Sequence, residues 1–459
     1  MKQFLLASAS AWAVLALGLP AHAGIDAAKI AGHIKILASD AFEGRGPATA
    51  GEVKTVKYLT EQFKAVGLQP GGDLLKDGKR AWTQDVPLAQ FDNKDPIKVS
   101  VTVGGQVQTW AQGDQIAIRA PQTGADHVTV KDAPVVFIGY GVKAPERNWD
   151  DFKGYDLKGK IALVLVNDPD FETLKKLAQT RDFKPVALTG VTFSTDIAVD
   201  AKKIVSKNVV GLLPGTKHPE EKVIYTAHWD HLGVGLADAK GDRFYNGALD
   251  NASGTSVLIE MGRAAAAQPR TERSMLFLAV TAEEKGLLGS EYYATHPLYP
   301  LGTTVADINM DGVATNGPSK DFSTSGDAPL TLQDDLIEVA KGYNMTYSPD
   351  PRPGAGSFFR SDHFSFAKRG VPAISFGGGQ DLVNGGKARG AALQKAYTTE
   401  RYHQPADEYS PDWDLSGAAR NADMLLVLGT KLANSRAWPE WKAGSEFKAE
   451  RDKTAAARK

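Results

Sequence analysis

Thr281-Ala-Glu-Glu-Lys-Gly286 sets two adjacent glutamates directly after an apolar run, Met275-Leu-Phe-Leu-Ala-Val280, that reads as a buried strand. His228-Trp-Asp230 stands upstream and Tyr402-His403 downstream. Carboxylates and imidazoles gathered at strand ends suit hydrolysis assisted by two metal ions. One glutamate binds metal while its neighbour moves protons.

Each group has a plainer alternative. Glu283 and Glu284, as neighbours in extended chain, point to opposite sides, so one can face metal and the other a bound water. Two exposed glutamates at a helix start, favoured by the macrodipole, are a respectable alternative for the pair in isolation. His228 and Asp230 share a face by alternation. His228 can then ligate while Asp230 fixes its orientation from behind, although a solvated loop pair has the same spelling. Asp250, in Asn246-Gly-Ala-Leu-Asp-Asn-Ala-Ser-Gly254, can bridge two cations or simply cap the following helix. Asp307, Asn309 and Asp311 share one face of a strand, and Asp311, the last, is best placed for a site at its end. Of the nine histidines, only His228 and His403 are expected to ligate. His22 falls in the leader, and His33, His127, His218, His231 and His296 read as surface or core residues. Ser361-Asp-His363 is no catalytic triad, because three consecutive side chains diverge. No Gly-x-Ser-x-Gly elbow supports a serine hydrolase either.

The elements that must position these groups follow from periodicity. Ile25–Leu37 and Glu52–Val66 carry apolar residues at helical spacing, the second ending at Gly67. From about 95 to 205, short β-branched runs dominate: Ile97–Val103, Val128–Val130, Pro134–Gly139 and Lys160–Val166. The acids there, such as Asp150, Asp151 and Asp156, lie among turn residues and read as solvated. From Asn208 onward, strands (Val209–Leu213, Lys222–Ala227, Met275–Val280, Thr304–Met310, Val371–Phe376) alternate with helices such as Gly254–Ala267 and Leu332–Gly342. That alternation predicts an α/β sheet flanked by helices, with ligands beyond the carboxyl ends of its strands. After Trp438 the chain is rich in Lys, Glu and Ala, and a frayed or disordered tail is expected.

Bulk properties bound the class. The 459 residues suffice for two or three domains, and a formal net charge of −1 points to neither nucleic acid nor an anionic surface. Residues 1–23 pair a basic start at Lys2 with a short apolar run and a small-residue site, Ala21-His-Ala23. They read as a secretory signal peptide cleaved after Ala23. Pro20 and that site end the run as a cleavage region does, which disfavours an uncleaved anchor, and no later segment is apolar enough to span a bilayer. The chain has no cysteine, which excludes disulfides, thiolate nucleophiles and cysteine-bound zinc. Export to a periplasm or to the medium is compatible with that absence.

Taken in order, His228-x-Asp230, Asp250-Asn, Glu283-Glu284, Asn-Met-Asp311, Ser361-Asp-His363 and Tyr402-His403 resemble the M28 zinc metallopeptidases, which include aminopeptidases and glutamate carboxypeptidase. The likeness covers 24–435. Asp40–Gly67, with Glu43-Gly-Arg45, resembles that family's N-terminal lead. Phe137-Ile-Gly-Tyr-Gly141 and Gly154-Tyr-Asp-Leu-Lys-Gly-Lys160 resemble an inserted protease-associated (PA) domain. The resemblance implies a mixed, mostly parallel central sheet flanked by helices, the zinc-peptidase fold, with a β-rich PA insert. The implied division is a leader 1–23, an N-terminal part 24–94, the insert 95–205, a catalytic domain 206–437 and a polar tail 438–459. It also implies roles. His228 and Asp311 would hold one zinc, Glu284 and His403 a second, and Asp250 would bridge them. Glu283 would be general base and acid, Asp230 would orient the site, and Tyr402 would hydrogen-bond the developing oxyanion. Ser361 to His363 would line the pocket. Five N/O ligands without thiolate suit zinc, with cobalt or manganese as substitutes.

The implied activity is that of an exported di-zinc exopeptidase acting on peptides, foremost an aminopeptidase. A carboxypeptidase or dipeptidase of the same family needs a cationic pocket, for which Arg352, Arg360 and Arg389 are available. Glutaminyl cyclase shares the ligand set but lacks the insert. An inactive, receptor-like relative would have lost ligands that this chain keeps.

Overall fold

The computed structural model describes residues 24–113, 115–119, 121–144, 148–165, 183–326, 328–350 and 356–458. The expected signal peptide, Val166 at the end of one expected strand, and Arg352 lie outside these residues. The strands that matter here are β1 (Thr83–Val103), β2 (Gln106–Thr109), β3 (His127–Phe137), β4 (Val186–Leu213), β5 (His218–His228), β6 (Arg273–Val280), β7 (Thr304–Met310), β8 (Asp321–Thr324), β9 (Thr346–Tyr347) and β10 (Ala373–Gly378). One sheet runs in the order β9-β8-β10-β7-β5-β6-β4-β1-β2, with β3 paired to β4.

The centre of that sheet, β10-β7-β5-β6, is parallel, and antiparallel β8 and β4 flank it. Parallel strands are covered on both faces, so they read as unbroken apolar runs rather than as alternation. All eight residues of β6 and all seven of β7 are buried accordingly. The covering helices are α1 (Ala27–Leu37), α2 (Ala50–Ala65), α3 (Gly254–Ala266), α4 (Leu288–Thr295), α5 (Thr331–Lys341), α6 (His363–Ala367), α7 (Gly386–Glu400) and α8 (Ser416–Ala433). Helices α3 and α8 pack on β5 and β6, while α4 and α6 pack together, with α6 on β7 and β10. Gly429 lets α8 sit that close, since a Cβ there would lie 1.8 Å from the Tyr225 hydroxyl. Among the described residues no helix is long and apolar enough to cross a membrane.

The region from 95 to 205 is built on two strands much longer than the short runs in the sequence suggest. β1 and β4 pair antiparallel from Thr83–Val209 out to Val103–Val191. Both therefore cross the expected limits at 95 and 205 without leaving the sheet. The expected strands Val128–Val130 and Pro134–Gly139 are one strand, β3, with irregular pairing between Val130 and Ala133 where Asp132 has φ +46°. A bulge of that kind breaks alternation without ending the strand.

The segment after Trp438 departs from expectation. Instead of fraying, it buries Trp441, Phe447 and Arg451. Trp441 donates Nε1–H to Gly370 O at 3.0 Å and packs 4.9 Å from the Phe447 ring, and Arg451 Nη1 donates to Thr304 O at 3.0 Å. Average composition conceals three large anchors spaced through a polar stretch. Truncating one should be costly. Trp441→Ala is expected to lower unfolding free energy by about 3–5 kcal/mol, measured by urea denaturation. A loss near zero would mean that the segment does not belong to the folded core.

Candidate metal and catalytic site

The parallel ladder sets where the site forms. Val280 pairs with His228, and Asn309 with Thr226, so β5, β6 and β7 end almost level. Residues following each strand emerge at one edge of the sheet: His228 and Asp230 from β5, Glu283 and Glu284 from β6, and Asp311 from β7. Asp250 arrives from the turn Ala248–Ser253 before α3, and His403 from the loop after α7.

These side chains form two trios that share Asp250. His228 Nε2 lies 3.2 Å from Asp250 Oδ1 and 3.3 Å from Asp311 Oδ1. His403 Nε2 lies 3.2 Å from Asp250 Oδ2 and 3.1 Å from Glu284 Oε2. One N–H cannot serve two carboxylate oxygens well, so each trio offers more acceptors than any proton can satisfy. The cluster draws positive charge. Burial would lower His228 and His403, yet the neighbouring carboxylates raise both, His403 to about 9. Burial would raise Asp250 and Glu284, but the imidazoles pull both well below the usual carboxylate range. Two donor trios hungry for positive charge and joined through one carboxylate are a group that could hold a divalent cation.

Glu283 differs from its neighbour. Burial, reinforced by Asp311, Asp362 and Glu284 against the opposing pull of His228, pushes it up to about 10. Its N–H donates to Asp230 Oδ1 at 3.0 Å. The pair is not in extended chain as expected. Ala282 takes φ +54°, ends the strand, and puts Glu283–Lys285 in one tight helical turn. The two carboxylates still part company. Glu284 joins a trio, and among the described residues no hydrogen bond holds the Glu283 carboxylate.

Supporting residues account for the convergence. Asp230 meets His228 Nδ1 chiefly through its carbonyl oxygen, at 3.1 Å, with its carboxylate at 3.7 Å. Asn251, not Asp250, caps α3: its Oδ1 accepts from Gly254 N and Gly312 N, and its Nδ2 donates to Met310 O. Asn251 thereby ties the Asp250 turn to the Asp311 strand. Asp407 accepts from the Leu249 and Asp250 amides. Arg45 is fully buried and donates to the carbonyls of Leu37, Trp229, Asn246 and Gly247, bracing the chain before Asp230 and before Asp250. Tyr402 stacks on His403, with ring centroids 3.8 Å apart.

Ser361, Asp362 and His363 divide. Only Ser361 reaches the trios, donating to Asp311 Oδ2 at 2.7 Å. His363 does not line the pocket as expected. It is buried against Phe358, and burial lowers it to about 3. Asp362, also buried, is raised to about 7 by burial first and by Asp311 and Asp230 after that. Of the arginines considered for a cationic pocket, Arg389 donates to Asn384 O. Arg360 is exposed beside Ser361, near enough to Tyr402 to act on its hydroxyl. Asp407 and the bracing by Arg45 are not evident from the sequence, and His231, expected as a surface or core histidine, has its Nδ1 2.6 Å from Glu284 Oε1. Their nearness to His403, Glu43-Gly and His228 in the chain was the available signal. A further group, His218, Glu220 and Glu221, is no comparable site, because Arg273 and Arg436 occupy Glu221.

Residues 208–428 match Peptidase family M28. Aminopeptidase YwaD of Bacillus subtilis is 36% identical over 115 residues, 24% of this chain and 22% of the relative. Aminopeptidase NAALADL1 of Rattus norvegicus is 30% identical over 182 residues, 34% of this chain and 23% of the relative. The chain thus spans less than a quarter of the length of these curated relatives. Among solved structures, the aminopeptidase from Aneurinibacillus sp. strain AM-1 superposes with a TM-score of 0.55 at 20% identity, covering 89% of this chain and 94% of that one. BSAP, a zinc aminopeptidase from Bacillus subtilis, gives a TM-score of 0.51 at 19% identity over 92% and 97%. At such identities these two structures speak for the fold. The family match falls on the stretch that carries both trios, Glu283 and Tyr402, and it is this stretch, residues 208–428, that is assigned to peptidase family M28.

Proposed function

We propose that this chain is an exported di-zinc aminopeptidase that releases N-terminal residues from peptides. The observation that carries the reading is the pair of donor trios joined by Asp250, with Glu283 unbonded beside them. His228 and Asp311 would hold one zinc, His403 and Glu284 the other, and Asp250 one oxygen toward each. The donor chemistry fits. Imidazole nitrogen and carboxylate oxygen suit zinc, and nitrogen–oxygen separations of 3.1–3.3 Å approach the edge of about 3.3–3.4 Å expected between donors around a tetrahedral ion with bonds near 2.0–2.1 Å. Cobalt or manganese would substitute. The relatives named aminopeptidases support the choice within the family. Residues 1–23 support export to a periplasm or beyond, and the β-rich segment 95–205 is assigned as the PA-like part.

When bound, zinc would acidify a water between the trios and polarise the scissile carbonyl. Glu283 takes the proton from the attacking water and returns it to the departing amine. Its freedom from other hydrogen bonds leaves it open to that water, and cations held by Asp311 and Glu284 would relieve the carboxylate repulsion that raises it in the metal-free chain, leaving it ionised as a base must be. Asp230 holds the Glu283 amide in place. Burial first, then Asp250 and Glu284, raises the Tyr402 hydroxyl above the ordinary phenol range. It therefore stays protonated and can donate to the carbonyl oxygen as charge develops there. Stacking on His403 keeps it beside that ligand.

Three outcomes test this reading. Purified protein should hydrolyse aminoacyl chromophores with a free amine, lose activity to a chelator, and regain it with zinc. Turnover of N-blocked substrates alone would reject the aminopeptidase assignment. Glu283→Gln should keep its zinc content yet lose about 10²–10⁴-fold in kcat, and a variant that stays active would show the base to be misassigned. The same variant has a signature in the metal-free protein. Glu283 is raised from 4.5 to about 10 in the folded chain. Below 4.5 both states hold its proton. As pH climbs toward 10, the unfolded chain ionises first and stability drains away. Glutamine cannot ionise. Metal-free Glu283→Gln should therefore match metal-free wild type in melting near pH 4 and melt higher at pH 8. An equal melting temperature at both would rule out a strained carboxyl.

A further inference from the structure

A third imidazole, His231, stands beside the second trio, with a ring nitrogen within 4.8 Å of carboxylate oxygens of both Asp250 and Glu284. His231 is fully buried, with Nδ1 2.6 Å from Glu284 Oε1. Its ring meets that of His403 edge-on, centroids 5.7 Å apart. Among the described residues neither ring nitrogen has an in-line hydrogen-bond partner. The approach to Glu284 is thus a close nitrogen–oxygen contact rather than an aligned hydrogen bond. The ring is firmly placed. Its backbone N–H donates to Arg45 O at 3.3 Å, and Gly247, at φ +52°, lies so close that a Cβ there would come within 2.5 Å of the His231 Cγ.

The two flanking carboxylates are handled alike. Asp311 turns Oδ1 to His228 while Oδ2 accepts from Ser361. Glu284 turns Oε2 to His403 while Oε1 faces His231. In each, one oxygen points inward and the other faces a side chain outside the trio, by a hydrogen bond at Asp311 and by close approach alone at Glu284. Glu284 needs the restraint more. It hangs from a turn between two left-handed residues, Ala282 and Leu287, whereas Asp311 directly follows a strand. It also has one more rotatable bond, and Asp250 beside it repels it.

We propose that His231 is a positioning residue for Glu284, holding Oε1 so that Oε2 stays on the metal side of the second trio. The inference rests on the two-zinc reading above, and it reaches the metal only through Glu284.

The test uses the full chain as wild type, His231→Ala and His231→Gln. The two stepwise zinc affinities are measured by competition with a chelator of known strength. Cobalt(II) absorption is recorded for each site, and the metal-free forms are melted. In His231→Ala, one zinc should bind about 10–100-fold more weakly while the other is unchanged. Both should still bind at saturating zinc, and the cobalt spectrum of the weakened site alone should shift. Glutamine, which keeps a donor at that place, should recover part of the loss. Two unchanged affinities beside a lowered metal-free melting temperature would reduce His231 to packing and overturn the proposal. Loss of one zinc even at saturation would make it a direct ligand, which also overturns it. Wild type holding fewer than two zinc ions would instead defeat the two-metal reading, before any variant is considered.

Discussion

Asp250 lies between two imidazoles, 3.2 Å from each, with Asp311 on one flank and Glu284 on the other. Carboxylates this close repel one another, and burial strengthens the repulsion by removing solvent. Left to itself, such a group would disperse or take up protons. Its shifted titrations already record the tension: the imidazoles are raised, and Glu283 is pushed far above an ordinary glutamate. The same tension makes the cluster useful, because a divalent cation relieves it better than protons do. Everything around the site can be read as a means of keeping the carboxylates together in its absence.

Two kinds of restraint do that work. The sheet supplies the first: hydrogen-bonded parallel strands ending level deliver His228 and Asp311 with little freedom to move. Arg45 supplies the second. It is held among four backbone carbonyls, and though burial lowers it to about 10 it remains charged at neutral pH. It is a permanent cation behind the cluster, attracted to Asp230, Asp407, Asp250 and Glu284. Burying an arginine is costly unless its donors are matched. Here carbonyls from three separate segments match them, so one side chain both offsets the repulsion and fixes the loops that cause it.

This division explains what could be read from the sequence. The central strands were legible because parallel strands spell themselves as apolar runs, and Thr304–Met310 was found to the residue. His228, Asp250, Glu284, Asp311 and His403 were legible as a set through their order along the chain. The joining of β3, the length of β1 and β4, and the ordered segment around Trp441 were not. Each depends on long-range pairing or packing that local composition does not encode. The same holds for Asn251 and Asp407. An Asp-Asn pair before a helix invites the guess that the aspartate caps it, and only the approach of Gly312 shows why the asparagine must. His363 illustrates the converse, since a histidine beside a site residue is drawn into the core by its aromatic neighbours.

The two halves of the site are therefore built to different tolerances. His228 and Asp311 sit on strand ends that neighbouring strands hold in register. Glu284 and His403 come from a turn and a loop, and the chain bends through left-handed residues to deliver them: Ala282 and Leu287 around Glu284, and His403 itself at φ +59°. Backbone of that kind is strained and persists only where surrounding contacts over-determine it. The looser half is accordingly held by rings of its own, with Tyr402 stacked on His403 and His231 against both its ligands. Were two ions bound as proposed, the sheet-borne half should fill more firmly, because less conformational freedom is lost there when the donors close on an ion.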